Sequence, residues 1–180
     1  AGDVSLGGAN QVAQLGDSTA SGDFLLNDAT ALGIAAGATV AAGGTLSLGT
    51  ADTLAIAGRL AAPSVVLQAT SGITETGAGL IAAPLLTAVS SKGDVLLGGA
   101  NQVEQLGASS TAGDFTLGDA VALTVPAAAS VSASSSATAS EPRRPGSAVR
   151  RRRRGALADV DLSGIGVPVI VSIIARSRRP

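Results

Sequence analysis

Apolar side chains fall on alternate positions in a series of short runs. Val4 and Leu6, Phe24 and Leu26, Leu46 and Leu48, Leu54 and Ile56, Val95 and Leu97, and Phe115 and Leu117 each sit at i and i+2. A period of two gives a strand with one side in a core and the other in water. The runs close on Gly, Ser or Pro. DFLLNDATALGIAAGATVAAGG (23–44), TLSLGTADTLAIAGRLAAPS (45–64) and VVLQATSGITETGAGLIAAP (65–84) recur at a spacing of about twenty residues. Gly7-Gly8, Gly43-Gly44 and Gly98-Gly99 are expected at corners, where glycine tolerates positive φ. Helix is the weaker alternative. Leu32–Val40 is Ala-rich, but Gly33, Gly37, Gly43 and Gly44 would each cost about 1 kcal/mol inside a helix.

One unit is written twice. GDVSLGGANQVAQLGDSTASGDFLLNDATAL at 2–32 returns without a gap as GDVLLGGANQVEQLGASSTAGDFTLGDAVAL at 93–123, with 22 of 31 positions identical. Short strands on a near-constant period, with small corner residues, describe a β-solenoid, in which each coil hides its apolar side only by stacking on its neighbours. An antiparallel β-sandwich also reads as many short strands. The constant period and the lack of Asn-Gly or Asp-Gly hairpin turns favour the solenoid. The expectation is an all-β parallel β-helix of about five to six coils over 1–124, with a longer, loop-bearing coil at 85–113.

Composition supports a narrow interior. Among 180 residues there are two Phe (Phe24 and Phe115) and no Trp, Tyr, Met, His or Cys. Stacked aliphatic columns have no use for bulky rings. The lack of Met even at position 1 suggests a fragment or processed chain. The opening AGDVSLGG lacks a signal-peptide pattern, so if the protein is secreted its targeting segment is expected upstream of residue 1. No run reaches the roughly 18–20 apolar residues of a membrane-spanning helix.

Charge divides the chain. Residues 1–124 hold ten acids and two bases (Arg59 and Lys92); residues 125–180 hold three acids and ten Arg. After Leu123 the repeat text breaks off into TVPAAASVSASSSATASEPRRPGSAVRRRRRGALADV. A frameshift in a GC-rich gene and a genuine linker both fit this change. Either way, 126–158 carries too few large apolar side chains to offset the entropy of ordering, so a disordered tail over 125–180 is expected. Ile165–Ala175 (IGVPVIVSIIA) is apolar but short and contains Pro168; it could dock as a strand or aggregate.

GGANQV-x-QLG followed by GDF-x-L-x-D-A-x-AL, then TLSL…LAIAG-x-L-A-A-PSVVLQA…GITETG, resembles the repeat region of large bacterial exoproteins. These are of the filamentous-haemagglutinin-like, two-partner-secretion or autotransporter-passenger type. It covers about 1–124 and lacks the N-terminal secretion domain that marks such proteins. The resemblance implies a right-handed parallel β-helix, exported across the outer membrane and used in adhesion or biofilm contact.

Candidate chemistry is sparse. Asp3, Asp23, Asp28, Asp94, Asp114 and Asp119 recur with the repeat, but the dense glycine–aspartate pattern of a calcium solenoid is missing. Aspartates at strand starts and turns ordinarily bond their own backbone. Asn10 and Asn101 in GGANQV suit turns or ladders. Gln11, Gln14, Gln102 and Gln105 read as solvated or as coil-to-coil amides. Thr45, Thr50 and Thr53 form no regular ice-binding array. Arg143, Arg144 and Arg150–Arg154 could meet nucleic-acid phosphates or an anionic membrane, yet no aromatic residue is interleaved for base stacking. Nucleic acid is therefore not an expected partner. Without His, Cys or a phosphate loop, no catalytic, cofactor-binding or metal-binding residue is assigned, and no enzyme is expected.

The functional expectation is a structural segment of a secreted or surface-displayed bacterial adhesin-like exoprotein. Its expected partners are glycans or proteins on host or neighbouring cells, an outer-membrane transporter during secretion, and further copies through uncapped solenoid ends. The alternatives are a carbohydrate-active β-helix enzyme fragment and the nonfunctional product of a degenerate gene.

Overall fold

In the computed structural model, the described residues are 2–127, 129–133 and the backbone of 171–173. Among them every regular element is a strand. The strands form a parallel β-solenoid of about six turns, with three sheets running along its axis.

The first sheet stacks β1 (Val4–Asn10), β4 (Phe24–Asp28), β7 (Thr45–Thr50), β10 (Ser64–Ala69), the second half of β12 (Leu80–Ser90), β14 (Ser109–Thr111) and β16 (Val131–Ala133). The second stacks β2 (Gln14–Leu15), β5 (Leu32–Ile34), β8 (Thr53–Ile56), β11 (Gly72–Glu75), the start of β13 (Val95–Leu106) and β15 (Phe115–Asp119). The third stacks β3 (Ser18–Ala20), β6 (Thr39–Ala42), β9 (Arg59–Ala61), the start of β12 and the end of β13. β17 (Val171–Ile173) lies against β15 and is antiparallel, unlike the other pairings.

The alternating pattern decides which side faces in. Val4, Phe24, Leu46, Val65, Leu86 and Leu106 form one column through the core. Leu32, Leu54, Ile73, Val95 and Phe115 form another, and Val40, Leu60 and Ile81 a third. All but Val4 are buried, and they join one continuous core that takes in both phenylalanines. Val4 is half-buried, and Leu6 beside it on β1 is 42 % exposed. Both belong to the first coil, which has a neighbour on one side among the described residues.

Several details differ from the expectations. No long, loop-bearing coil occupies 85–113: the register runs Val65↔Leu86 and Leu86↔Leu106, steps as regular as those before them. β12 and β13 simply run unbroken around a corner. The glycine pairs do not serve positive φ either, which occurs at Gly37, Gly72 and Gly77. Gly7-Gly8 and Gly98-Gly99 lie inside strands, at bulges where the pairing slips before Asn10 and Asn101. Gly43 and Gly44 allow close approach of the coils, since a Cβ there would overlap the Ser21 carbonyl or the Asp23 carboxylate. The stack also continues past Val125, because Val131–Ala133 pair with Ser109–Thr111. The remainder of the expected tail, 134–170 and 174–180 with its arginine cluster, lies outside the described residues.

The two copies of the repeated unit stand on different sheets. Val4 and Phe24 pair on the first sheet, whereas their counterparts Val95 and Phe115 pair on the second. The chain passes four coils from Val4 to Leu86, and the next nine residues carry it round one more corner to Val95. One coil built from GDV…GDF text therefore fits in two orientations about the axis.

Candidate functional site

The residues singled out for chemistry turn out to tie coil to coil. Asp3 Oδ1 accepts from the Asp23 amide at 2.9 Å, Asp23 Oδ1 from the Thr45 amide at 2.6 Å, and Asp94 Oδ1 from the Asp114 amide at 2.8 Å. Asp17, which the sequence reading passed over, does the same for Thr39 at 2.7 Å. Each carboxylate caps a backbone N–H about one coil further on. The expectation that they bond their own local backbone holds for Asp28, whose Oδ1 accepts from the Thr30 amide and hydroxyl. It holds for Asp119 too, which accepts from the Ala120 and Val121 amides, whereas the bonds of Asp3, Asp23 and Asp94 are axial.

The asparagines plug the bulges. Asn10 Nδ2 donates to the carbonyls of Leu6, Gly8 and, in the next coil, Asn27, at 2.8, 3.2 and 2.8 Å. Asn101, fully buried, repeats this with Leu97, Gly99 and Gly118 at 3.5, 3.5 and 3.0 Å. Its Oδ1 also accepts from the Ile81 amide of the coil below, at 2.7 Å. The aspartate opposite completes the motif. Asp28 accepts from the Val12 amide at 2.6 Å and Asp119 from the Val103 amide at 3.1 Å. Of the ordinary reading of Asn10 and Asn101, the bonds to their own backbone are present, but both residues lie at bulges within strands and opposite aspartates, not in turns or an asparagine ladder.

Glu75 was not foreseen. It follows Ile73 at i+2 and is paired with Ile56, in a column otherwise made of Leu15, Ile34 and Ile56. Its Oε2 accepts from the Gly99 amide at 2.5 Å and from Asn101 Nδ2 at 3.1 Å. Its Oε1 is buried without a hydrogen-bond partner, as is Asp119 Oδ2. Burial raises both carboxyls above their ordinary values. A carboxylate where alternation calls for an aliphatic side chain was the signal available in GITETG.

One outer hollow of about 420 Å³ runs along the corner after the first sheet, lined by Asn27, Gly49, Gln68, Thr70, Val89 and Ser91 among others. It exists because Gly49 has no side chain between Asn27 and Gln68 in the ladder. A Cβ at Gly49 would lie 2.6 Å from Asn27 Oδ1. Asp28, at its edge, is already held by Val12 and Thr30. Gln11, Gln14, Gln102 and Gln105 are exposed. Among the described residues, no three His, Cys, Asp or Glu side chains gather as metal ligands would. Compared with known proteins, the chain matches no protein-family model, no curated protein and no solved structure.

Proposed function

We propose that the chain is a structural segment of a secreted or surface-displayed bacterial exoprotein of the adhesin kind, a stiff spacer without catalysis of its own. One observation carries the reading: the recurring Asp and Asn residues are engaged in holding coil to coil. A protein that commits its repeated polar groups to axial order is organised for extension, and its outer sides are free to vary. The repeat text supports the same reading through its resemblance to large bacterial exoproteins. An outer-membrane transporter would be its partner during export, and other copies would meet it at the solenoid ends.

The contact surface in this reading is the hollow beside Gly49. Its lining offers neutral amides and hydroxyls from Asn27, Gln68, Thr70 and Ser91, which suit glycan hydroxyls or the backbone of a cell-surface protein. Beads coated with the full chain should adhere to glycan-bearing cells more than beads coated with an unrelated protein. Filling the hollow with Gly49→Val should cut that adhesion severalfold. Equal adhesion of both bead types would end the adhesin reading.

A carbohydrate-cleaving alternative draws on Glu75 and Asp119, since a buried carboxyl of raised pKa is what a general acid needs. Both contact the Asn101 region from within the stack rather than from an open groove. Release of reducing sugar ends from bacterial or host polysaccharides, abolished by Glu75→Gln, would favour it over the spacer.

A further inference from the structure

We propose that Glu75 makes the junction between the fourth and fifth coils responsive to pH, closed while its carboxyl is neutral and opening at the 98–101 bulge once it is ionised. The fourth coil runs from Val65 and the fifth from Leu86. Glu75 reaches across from the fourth coil at this corner, gripping the Gly99 amide and the Asn101 side chain.

The fit is tight. A Cβ at Gly99 would lie 2.7 Å from Glu75 Oε2, and one at Gly79 would lie 2.7 Å from Glu75 Cγ, so both glycines make room for this side chain. At the equivalent position of the first copy, Gly8 has nothing within 4 Å. Two donors satisfy Oε2, and none satisfies Oε1. A carboxylate buried with one oxygen unpaired is costly, whereas the neutral acid is far less so.

No neighbouring positive charge offsets the ionised form. The charged groups on or beside the packed elements are Asp52 before β8, Arg59 on β9, Lys92 and Asp94 before β13, and Glu104 on β13. All five side chains are exposed, and none is hydrogen-bonded to Glu75. Asp119, one coil beyond Asn101, adds a like charge when ionised. Burial, the largest influence, lifts the Glu75 carboxyl, and the hydrogen bonds from Gly99 and Asn101 pull the other way without cancelling it.

Opening should break two further bonds held by Asn101, to the Ile81 amide and to the Gly118 carbonyl, because the asparagine is positioned by the same bulge. The test is amide hydrogen exchange on the full chain, followed at Gly99 and Ile81 from about pH 4 to about pH 8. It is read as protection relative to intrinsic exchange. In the unaltered protein, protection should fall by up to about tenfold per pH unit between the carboxyl's ordinary and raised pKa values, then level off. Glu75→Gln, which cannot ionise, and Glu75→Leu, which restores the aliphatic column, should each make protection flat with pH. A dependence that survives both substitutions, or one abolished by Asp119→Asn with Glu75 intact, overturns the proposal.

Discussion

The side chains of Asn10 and Asn101 make the same three donations, each to the carbonyls four and two residues before it and seventeen residues after it, although the two stand on different sheets. The motif is portable because it depends on one bulged strand and the strand stacked next to it, and the first and second sheets both supply these. Its surroundings still differ: Asn101 is fully buried, and Asn10 is half-buried.

That difference sets the cost of removal. Asn101→Ala strands the Ile81 amide and the Gly118 carbonyl inside the stack and should destabilise the fold by about 3 kcal/mol, at roughly 1–3 kcal/mol per unsatisfied buried group. Asn10→Ala leaves groups that water can reach and should cost less than about 1 kcal/mol. Urea unfolding of the two variants checks the ranking.

Close coil approach makes a second contrast. A Cβ at Gly93 would overlap the Ser71 backbone carbonyl, whereas one at Gly98 would meet nothing within 4 Å. Gly93→Ala should cost about 2 kcal/mol as an overpacking change, and Gly98→Ala should be close to neutral. Thermal melts of both variants measure it.

The paired aspartates titrate in opposite directions: burial weighs more heavily on Asp119, and a substitution between the copies removes a hydrogen bond that Asp28 has. Burial pushes Asp28 up, but the Val12 amide and the hydroxyl and amide of Thr30 more than reverse this, leaving it below its ordinary value. At Asp119 burial prevails over the amides of Val103, Val121 and Ala120, and no hydroxyl helps, because Val121 stands where the first copy has Thr30. Asp28 therefore stabilises the fold above the unfolded carboxyl value of about 3.9, and that contribution is lost as pH falls through its lower folded value. Asp119 behaves inversely, its contribution complete below about 3.9 and lost as pH rises through its raised value. Asp28→Asn should weaken the protein at neutral pH and much less in acid, while Asp119→Asn should not weaken it at neutral pH. Val121→Thr should bring the Asp119 carboxyl down, visible in its NMR titration.

Modularity can be tested by excision. Thr45 and Ser64 are register partners in adjacent coils, so deleting 45–63 joins Gly44 to a strand of matching phase. Phe24 and Leu26 would then stack on Val65 and Leu67. The product should remain folded and be shorter by about 4.8 Å, one strand spacing. Small-angle scattering and circular dichroism check both parts, and collapse to an unfolded chain would refute the independence of the coils.

Much of this fold could be read along the chain, and the limits have physical causes. Leu46/Leu48 and Leu54/Ile56 are unambiguous because two large side chains flank a small or polar one. The third sheet was hidden: Val40 and Leu60 each stand as a single large residue among alanines, too brief for alternation to show. The aspartates were seen, but not their partners, since a residue about twenty positions away in sequence becomes a neighbour only after the coils stack. Glu75 escaped notice because polar residues on a strand are normally assigned to water. Only the register with Ile56 places it among the inward residues.

The offset between the two copies has a consequence for how such chains lengthen. A duplicated stretch need not equal a whole number of turns to be accommodated; it must only end where a side ends. Growth in increments of a single side is thus open to a three-sided prism. Text copied in this way turns about the axis as it multiplies, and a patch displayed in one direction by the first copy is aimed in another by the next.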